Sequence, residues 1–219
     1  MFLSEVFEDA LRGPFETNGY DVQYQVVETG DMVEIYFQGS VSNMDWKINF
    51  DFLVEPYKYM PVRWLAHRGF VTGYKSIRDF IMPKVKDKKF AFISGYSLGG
   101  AYAQLCLEDI RFNYPAIDAG AMVYGAPRVF WMPPKALRDR LEPLIRVENY
   151  GDLVCHVPPL WLGFRHVGEK RSIGSAKRFI HNLFPIKQWT DLPTVKSHLI
   201  EEYRYSFRED NIARQGDNR

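Results

Sequence analysis

The segment Gly95-Tyr96-Ser97-Leu98-Gly99-Gly100 has the residue types of a serine nucleophile held in a tight turn. A continuous apolar run ending at Ile93 precedes it and predicts a buried strand, and a helix is predicted from near Leu98 to before Pro115. Glycines in such a turn let the strand and the helix approach closely, so that the serine hydroxyl projects outward. The pattern therefore predicts acyl-transfer chemistry at Ser97.

A serine hydroxyl is a weak nucleophile and needs an imidazole base, which in turn needs a carboxylate to orient it. In a strand-turn-helix setting of this kind the expected chain order is serine, acid, histidine. His198 is favoured because it lies where the last loop meets the closing helix. The other histidines are disfavoured by chain order, by closeness to the acid or by their place in an irregular stretch: His67, His156, His166 and His181.

Asp152 is the favoured acid. It follows a predicted strand, Leu144 to Val147, and so lies at the carboxyl end of that strand, the edge where sites form in α/β sheets. Asp191, in a loop near His198, is the rival that an experiment has to separate from it. The remaining candidates are interpreted as solvated charges or helix caps: Asp109, Asp118 and Asp139.

The elements around these residues predict an α/β fold with a mostly parallel central sheet flanked by helices. An N-terminal hairpin is expected from strands at 22–27 and 32–37, and a helix with apolar positions from Val71 to Ile81 is expected to end at Pro83. Further elements are a strand at 121–124, a helix at 135–141 and a closing helix at 198–207. Residues 158–189 are expected to be irregular, and the polar tail 208–219 is expected to fray. The length suits a single domain over 1–219.

The bulk composition limits the partners. The chain has 28 basic and 27 acidic residues, a net charge of +1, so no overall field favours nucleic acid. Cys106 and Cys155 show no metal-site or disulfide spacing, and we expect buried free thiols, no metal and no cofactor. The acidic start lacks a signal-peptide pattern, and no apolar run reaches about 18 residues, which predicts a cytoplasmic or otherwise intracellular protein.

Several motifs, in order, resemble the class 3 (fungal-type) lipases of the α/β-hydrolase superfamily. The likeness runs from about Ile35 to Tyr203. Its parts are Ile35 to Ser40, similar to an oxyanion loop; Ser42 to Phe52, similar to a lid; His67 to Phe70; Gly95 to Gly100; Gly125 to Val129; Asn149 to Pro159; Gly163 to Glu169; and Ser197 to Leu199. Tyr96 stands where family members often have His, and Gln38 where they often have Arg.

The resemblance implies an α/β-hydrolase fold with Ser97, Asp152 and His198 as the triad, in agreement with the interpretation from the residues alone. It also implies that the backbone N–H groups of Ser40 and Leu98 form the oxyanion hole. Trp46 becomes a lid residue by this likeness, whereas the alternation of residues 46–52 by itself favours a strand with one buried face.

The predicted activity is hydrolysis of carboxylic esters through an acyl-enzyme, with acylglycerols or related lipid esters as substrates and a transient contact with a lipid interface. Phospholipase, thioesterase, acyltransferase and small-ester esterase are the alternatives among enzymes. A hydrolase-like binding or structural module is the non-enzymatic alternative. Basic residues between Phe164 and Trp189 suggest headgroup binding, but a solvated surface is the simpler interpretation. The sequence does not predict the oligomeric state.

Overall fold

The computed structural model describes residues 3–17, 22–38, 54–56, 64–175 and 196–216. Its strands are β1 (Glu16–Thr17), β2 (Gln23–Thr29), β3 (Met32–Gln38), β4 (Val54–Pro56), β5 (Leu65–His67), β6 (Phe90–Tyr96), β7 (Asp118–Tyr124), β8 (Phe130–Trp131), β9 (Leu144–Asn149), β10 (Phe164–Arg165) and β11 (Glu169–Ile173). Its α-helices are α1 (Leu3–Asp9), α2 (Arg68–Val85), α3 (Leu98–Asn113), α4 (Lys135–Arg140) and α5 (Ile200–Gly216). Short 3₁₀ turns cover Val154–His156 and Leu160–Leu162.

The described residues form a seven-stranded main sheet in the order β1-β2-β3-β6-β7-β9-β11. The hairpin β2–β3 is antiparallel and turns at Gly30, whereas the pairs from β3 through β6, β7 and β9 to β11 are parallel. The predicted hairpin and the mostly parallel sheet are therefore confirmed. The parallel pairing brings the carboxyl ends of β6, β7 and β9 to one edge, and the chain leaves that edge at Ser97, Gly125 and Tyr150.

Side chains on the two faces of the sheet enter two separate cores, as alternation along a strand requires. Ala91 and Ile93 of β6 face the larger core, which α2 and α3 cover. The next residues along the alternation, Phe92 and Tyr96, face a smaller aromatic core covered by α1 and α5. The sheet edge at which Ser97 lies is thus supported from both sides.

Helix α2 continues to Val85, so the predicted end at Pro83 is wrong. A proline inside a helix removes one backbone hydrogen bond, here the one to the carbonyl of Asp79. Asp79 and Pro83 both lie on the exposed face, where water can satisfy that carbonyl, and the burial of Val85 holds the last turn against the core.

The stretch 158–189, expected to be irregular, contains a strand of the main sheet. Residues Glu169–Ile173 form β11, which pairs in parallel with β9. All but Ile173 are exposed, and β11 is the outermost strand of the sheet that the described residues form, so it lacked the apolar pattern of a buried strand. Helical backbone also continues to Gly216, through residues 208–216 of the polar tail, and no proline or glycine interrupts the segment before Gly216.

The prediction that Asp109 is a solvated charge or a helix cap is wrong. Asp109 is fully buried between α2 and α3, where Arg78 Nε donates to its Oδ2 at 2.6 Å and Tyr74 Oη donates at 3.0 Å. A buried carboxylate is tolerated when it is paired in this way. Cys106 and Cys155 are buried free thiols, as predicted.

A smaller antiparallel sheet in the order β10-β8-β5-β4 lies beside the main one. Its strands have two or three residues each. Of the helices that the structure describes, none combines the length and apolar character needed to cross a membrane.

Candidate active site

Ser97 occupies the single-residue turn between β6 and α3. Its backbone has φ 58° and ψ −125°, a region that L-residues rarely adopt and that marks a strained position. The N–H of Ser97 donates to the carbonyl of Tyr124 at 2.8 Å, which fixes the turn against β7. A Cβ at Gly95 would collide with the backbone of Gly99, so only glycine permits this close approach of strand and helix.

Asp152 lies just beyond the end of β9, after a turn in which Gly151 has φ 80°. Its carboxylate is completely buried. Val154 N–H donates to Oδ1 at 2.8 Å, and the hydroxyl of Tyr203 donates to Oδ2 at 2.7 Å. These two donors orient the carboxylate and satisfy part of the hydrogen-bonding capacity that burial would otherwise leave unmet.

His198 lies in the turn that precedes α5 and joins the other two residues. Its Nδ1 is 3.0 Å and 2.9 Å from the two carboxylate oxygens of Asp152, and its Nε2 is 2.8 Å from Oγ of Ser97. An ionised carboxylate can only accept, so Nδ1 carries the hydrogen and Nε2 presents its lone pair to the serine hydroxyl. The structure thus brings together the three residues that the sequence singled out, in an arrangement able to transfer a proton from Oγ.

The first residue of α3, Leu98, presents its backbone N–H at a helix N-terminus, where intrahelical acceptors are lacking. Strand β3 ends beside this position: Phe37 pairs with Gly95, and a Cβ at Gly99 would collide with the backbone of Phe37. Ser40, the second predicted oxyanion donor, lies outside the described residues. The same holds for Trp46 and for the alternative residues Asp191 and His181.

The other described histidines contact an aromatic ring or backbone carbonyls. His67 is buried against the ring of Phe70, 4.1 Å between centroids, and desolvation lowers its pKa to about 4. Nε2 of His166 lies 2.7 Å from the carbonyl of Cys155, and burial lowers the pKa of His166 to about 3. Nδ1 of His156 lies 2.8 Å from the backbone carbonyl of Asp152.

Residues that the sequence analysis did not single out as functional surround the triad. Tyr203 Oη, besides binding Asp152, accepts the N–H of Asn149 at 3.2 Å. The side chain of Asn149 donates from Nδ2 to the carbonyl of Ser197, the residue before His198, at 2.8 Å, and Ser206 Oγ donates to Oδ1 of Asn149 at 2.8 Å. The one sequence signal for the contact of Tyr203 with Asp152 was its position in the predicted closing helix, which begins at His198.

The chain matches the model of the family "Lipase (class 3)" over residues 34–161. It is 29% identical over 167 residues to a lipase of Rhizomucor miehei, a match that covers 69% of this chain and 45% of that protein. The structure of lipase II from Rhizopus niveus superposes with a TM-score of 0.66 at 25% identity, covering 74% of this chain and 66% of the other. A triacylglycerol lipase whose catalytic centre is described as a serine protease triad superposes at 0.63 with 26% identity, covering 75% and 66%.

The fold is accordingly that of the α/β-hydrolases, as predicted. The chain belongs to the class 3 lipase family. It spans less than half the length of the curated fungal relatives that it matches.

Proposed function

We propose that this chain is a serine carboxylic-ester hydrolase, a lipase that cleaves acylglycerols or related lipid esters. The proposal is carried by one observation: Nε2 of His198 lies 2.8 Å from Oγ of Ser97 while Nδ1 of the same ring contacts the buried carboxylate of Asp152. A base placed between a serine hydroxyl and a carboxylate is the arrangement that nucleophilic acyl transfer requires. Membership of the lipase family supports the same reaction.

In the first half of the reaction, Oγ of Ser97 bonds to the ester carbonyl carbon while Nε2 of His198 takes its proton. The carbonyl electron pair moves to oxygen, and the resulting imidazolium is stabilised by Asp152, which stays ionised. When the C–O bond to the alcohol breaks, Nε2–H gives its proton to the leaving oxygen. Water then attacks the acyl-enzyme by the same steps and releases the carboxylic acid.

The negative oxygen of the tetrahedral intermediate would bind the N–H groups of Leu98 and Ser40. Loss of one such donor typically raises the barrier by about 2.7–4 kcal/mol. The reaction as written uses protein groups and water and requires no cofactor.

Labelling by a fluorophosphonate tests the proposal directly. Wild-type protein should label at Ser97 and hydrolyse p-nitrophenyl esters, and Ser97→Ala should do neither. Asp152→Asn should lower kcat by about four orders of magnitude, as expected when the base takes the wrong tautomer, whereas Asp191→Asn should not. Folded wild-type protein that fails to label would favour a non-enzymatic module. Loss of activity in Asp191→Asn alone would assign the acid to Asp191.

We also propose contact with a lipid interface through an exposed apolar corner made of Met132, Leu160 and Trp161. These residues are 63%, 49% and 81% exposed, respectively. Met132 N–H donates to the carbonyl of Gly163 at 2.9 Å, which brings the two segments together. Arg165 flanks the corner and donates to the carbonyl of Leu160 at 2.5 Å. An amphipathic tryptophan beside a cation suits the boundary between headgroups and acyl chains.

The corner also has a fixed relation to the triad. Leu160 and Trp161 lie in the segment that follows Asp152, and buried Arg128 donates to the carbonyl of Pro158 at 2.8 Å and to that of His156. Arg128 thus ties this segment to the chain that follows β7, and both segments leave the main sheet at the carboxyl ends of its parallel strands, as Ser97 does.

Trp161→Ser separates lipid contact from chemistry. It should keep the wild-type kcat/KM on a soluble short-chain ester but lose binding to phosphatidylcholine vesicles and activity on emulsified triacylglycerol. Phe80→Ser is the matched control, because Phe80 is 58% exposed on α2. Equal vesicle binding by Trp161→Ser and wild type would refute the interface role.

Substrate preference requires a panel of acylglycerols, phospholipids and thioesters of several chain lengths, measured below and above the aggregation threshold. Preference for acylglycerols supports the lipase, and preference for another headgroup or a thioester would select an alternative. A rate jump at the threshold would support the predicted lid at Trp46, and a smooth dependence would favour a plain esterase.

A further inference from the structure

Tyr96, the last residue of β6, lies directly before the nucleophile and is nearly fully buried. Its side chain leaves the sheet on the face opposite to α2 and α3 and enters the aromatic core with Phe7 and Tyr203. Tyr96 stands at the position where members of the class 3 lipase family often have histidine.

Two contacts join Tyr96 to the base. The phenol ring stacks on the imidazole of His198 with 5.1 Å between centroids and 14° between planes. The hydroxyl of the same side chain donates to the backbone carbonyl of His198. One residue thus contacts both the ring and the main chain of the base.

These contacts control a motion that the triad hydrogen bonds leave free. The bonds at Nδ1 and Nε2 lie on opposite sides of the imidazole, so they fix its direction but allow the ring to tilt about the line that joins them. A flat aromatic surface against one face restricts that tilt. His198 also lies in the turn before α5, and the side-chain donor to its carbonyl holds the main chain of that turn in place.

We propose that Tyr96 is a positioning residue for the proposed catalytic base, holding the imidazole of His198 in the plane and at the height from which Nε2 reaches Oγ of Ser97. This inference rests on the proposed function. Tyr96 acts through His198 and does not touch the reacting atoms.

The surroundings of Tyr96 make it a firm support. The ring of Phe7, on α1, meets it edge-on at 5.7 Å, and that of Tyr203 does the same at 5.7 Å. Tyr203 in turn holds Asp152, so a single aromatic cluster orients both partners of the nucleophile. Burial and the nearby carboxylate of Asp152 raise the pKa of Tyr96 well above its usual value, which keeps its hydroxyl a donor.

Two substitutions separate the contacts. Tyr96→Phe keeps the ring and loses the hydroxyl, and Tyr96→Leu loses both. Because a misplacement of about 1 Å in a catalytic group can cost about 100-fold, we expect kcat on a soluble p-nitrophenyl ester to fall about 10-fold in Tyr96→Phe and about 100-fold in Tyr96→Leu. KM should stay within about two-fold, since substrate binding is untouched, and fluorophosphonate labelling should slow in proportion.

Tyr74→Phe is the matched control. Tyr74, like Tyr96, is a buried tyrosine whose hydroxyl donates a hydrogen bond, but its acceptor is the carboxylate of Asp109 and it lies on α2, away from the triad. Its loss should lower the melting temperature while kcat stays at the wild-type value. Circular dichroism checks that each variant is folded, and Tyr96→Phe provides the test if Tyr96→Leu does not fold.

Unchanged kcat in folded Tyr96→Phe and Tyr96→Leu would overturn the positioning role while leaving the proposed function intact. An equal loss of kcat in Tyr74→Phe would also overturn it, because the effect would then follow stability alone. Wild-type protein that neither labels nor turns over would overturn both proposals.

Discussion

Replacement of Tyr203 by Phe tests how the acid is held. The hydroxyl of Tyr203 donates to Oδ2 of Asp152 at 2.7 Å and accepts the N–H of Asn149 at 3.2 Å, and the side chain is fully buried. The substitution keeps the ring, so no cavity forms. It removes a hydrogen bond to a charged group, typically worth about 1.5–3 kcal/mol, and leaves a buried N–H without that acceptor, at about 1–3 kcal/mol.

We therefore expect Tyr203→Phe to lower the free energy of unfolding by about 3 kcal/mol at pH 7.5, measured by urea titration. For a domain of this size, that corresponds to a fall of about 6–12 °C in melting temperature. The rate should fall less steeply than in Asp152→Asn, by about 10-fold in kcat, because His198 and the N–H of Val154 still contact the carboxylate.

The stability difference between wild type and Tyr203→Phe should also depend on pH. Burial and the charge of Asp152 raise the pKa of Tyr203 above its usual value. Because the folded-state pKa is the higher one, this stabilisation is complete below pH about 10 and is lost as the pH rises further. The stability gap between wild type and Tyr203→Phe should thus narrow above pH 10. An unchanged unfolding free energy, or a kcat as low as that of Asp152→Asn, would refute this account of Tyr203.

Three further outcomes are expected. Gly125→Ala should lower both stability and kcat, because Gly125 has φ 55° and a methyl group would lie 3.0 Å from Cε1 of His198; thermal melts and esterase assays check this. In urea titrations the free energy of unfolding of Ser97→Gly should be about 1–2 kcal/mol higher than that of Ser97→Ala, because glycine relieves the backbone strain at this position. Both variants lack the serine hydroxyl, so neither should be active. Burial raises the pKa of Glu108 to about 7, so its contribution to stability is complete below pH 4.5 and is lost as the pH rises through 7; Glu108→Gln should remove that loss between pH 5 and 8.

The elements that carry the triad were predictable because they are the buried ones. Strands β6 and β7 are short and largely apolar, β9 has apolar residues at Leu144, Ile145 and Val147, and each strand is followed by residues that must emerge at the same sheet edge. That logic was enough to place Ser97 and Asp152. Chain order and the closing helix then selected His198, which the geometry brings within hydrogen-bonding distance of both.

The supports of the site could not be predicted in the same way. Tyr96 and Tyr203 have the pattern of ordinary core residues, and their roles depend on which hydroxyl meets which acceptor across the fold. Edge strand β11 carries charged residues and gives no apolar signal. Trp161 lies in a short 3₁₀ turn whose exposure depends on tertiary packing.

The packing of α1 on α5 has a consequence for folding kinetics. Arg204 donates from Nε and Nη2 to the two carboxylate oxygens of Glu8 at 2.8 Å each, across 196 positions of sequence. His198 lies two residues before the start of α5, and the ring of Phe7 on α1 packs against Tyr96, which stacks on the imidazole of His198. Contacts that close such long loops form slowly and late. During refolding, esterase activity should consequently recover later than secondary structure. The time at which activity returns would then report when the two distant segments come into contact.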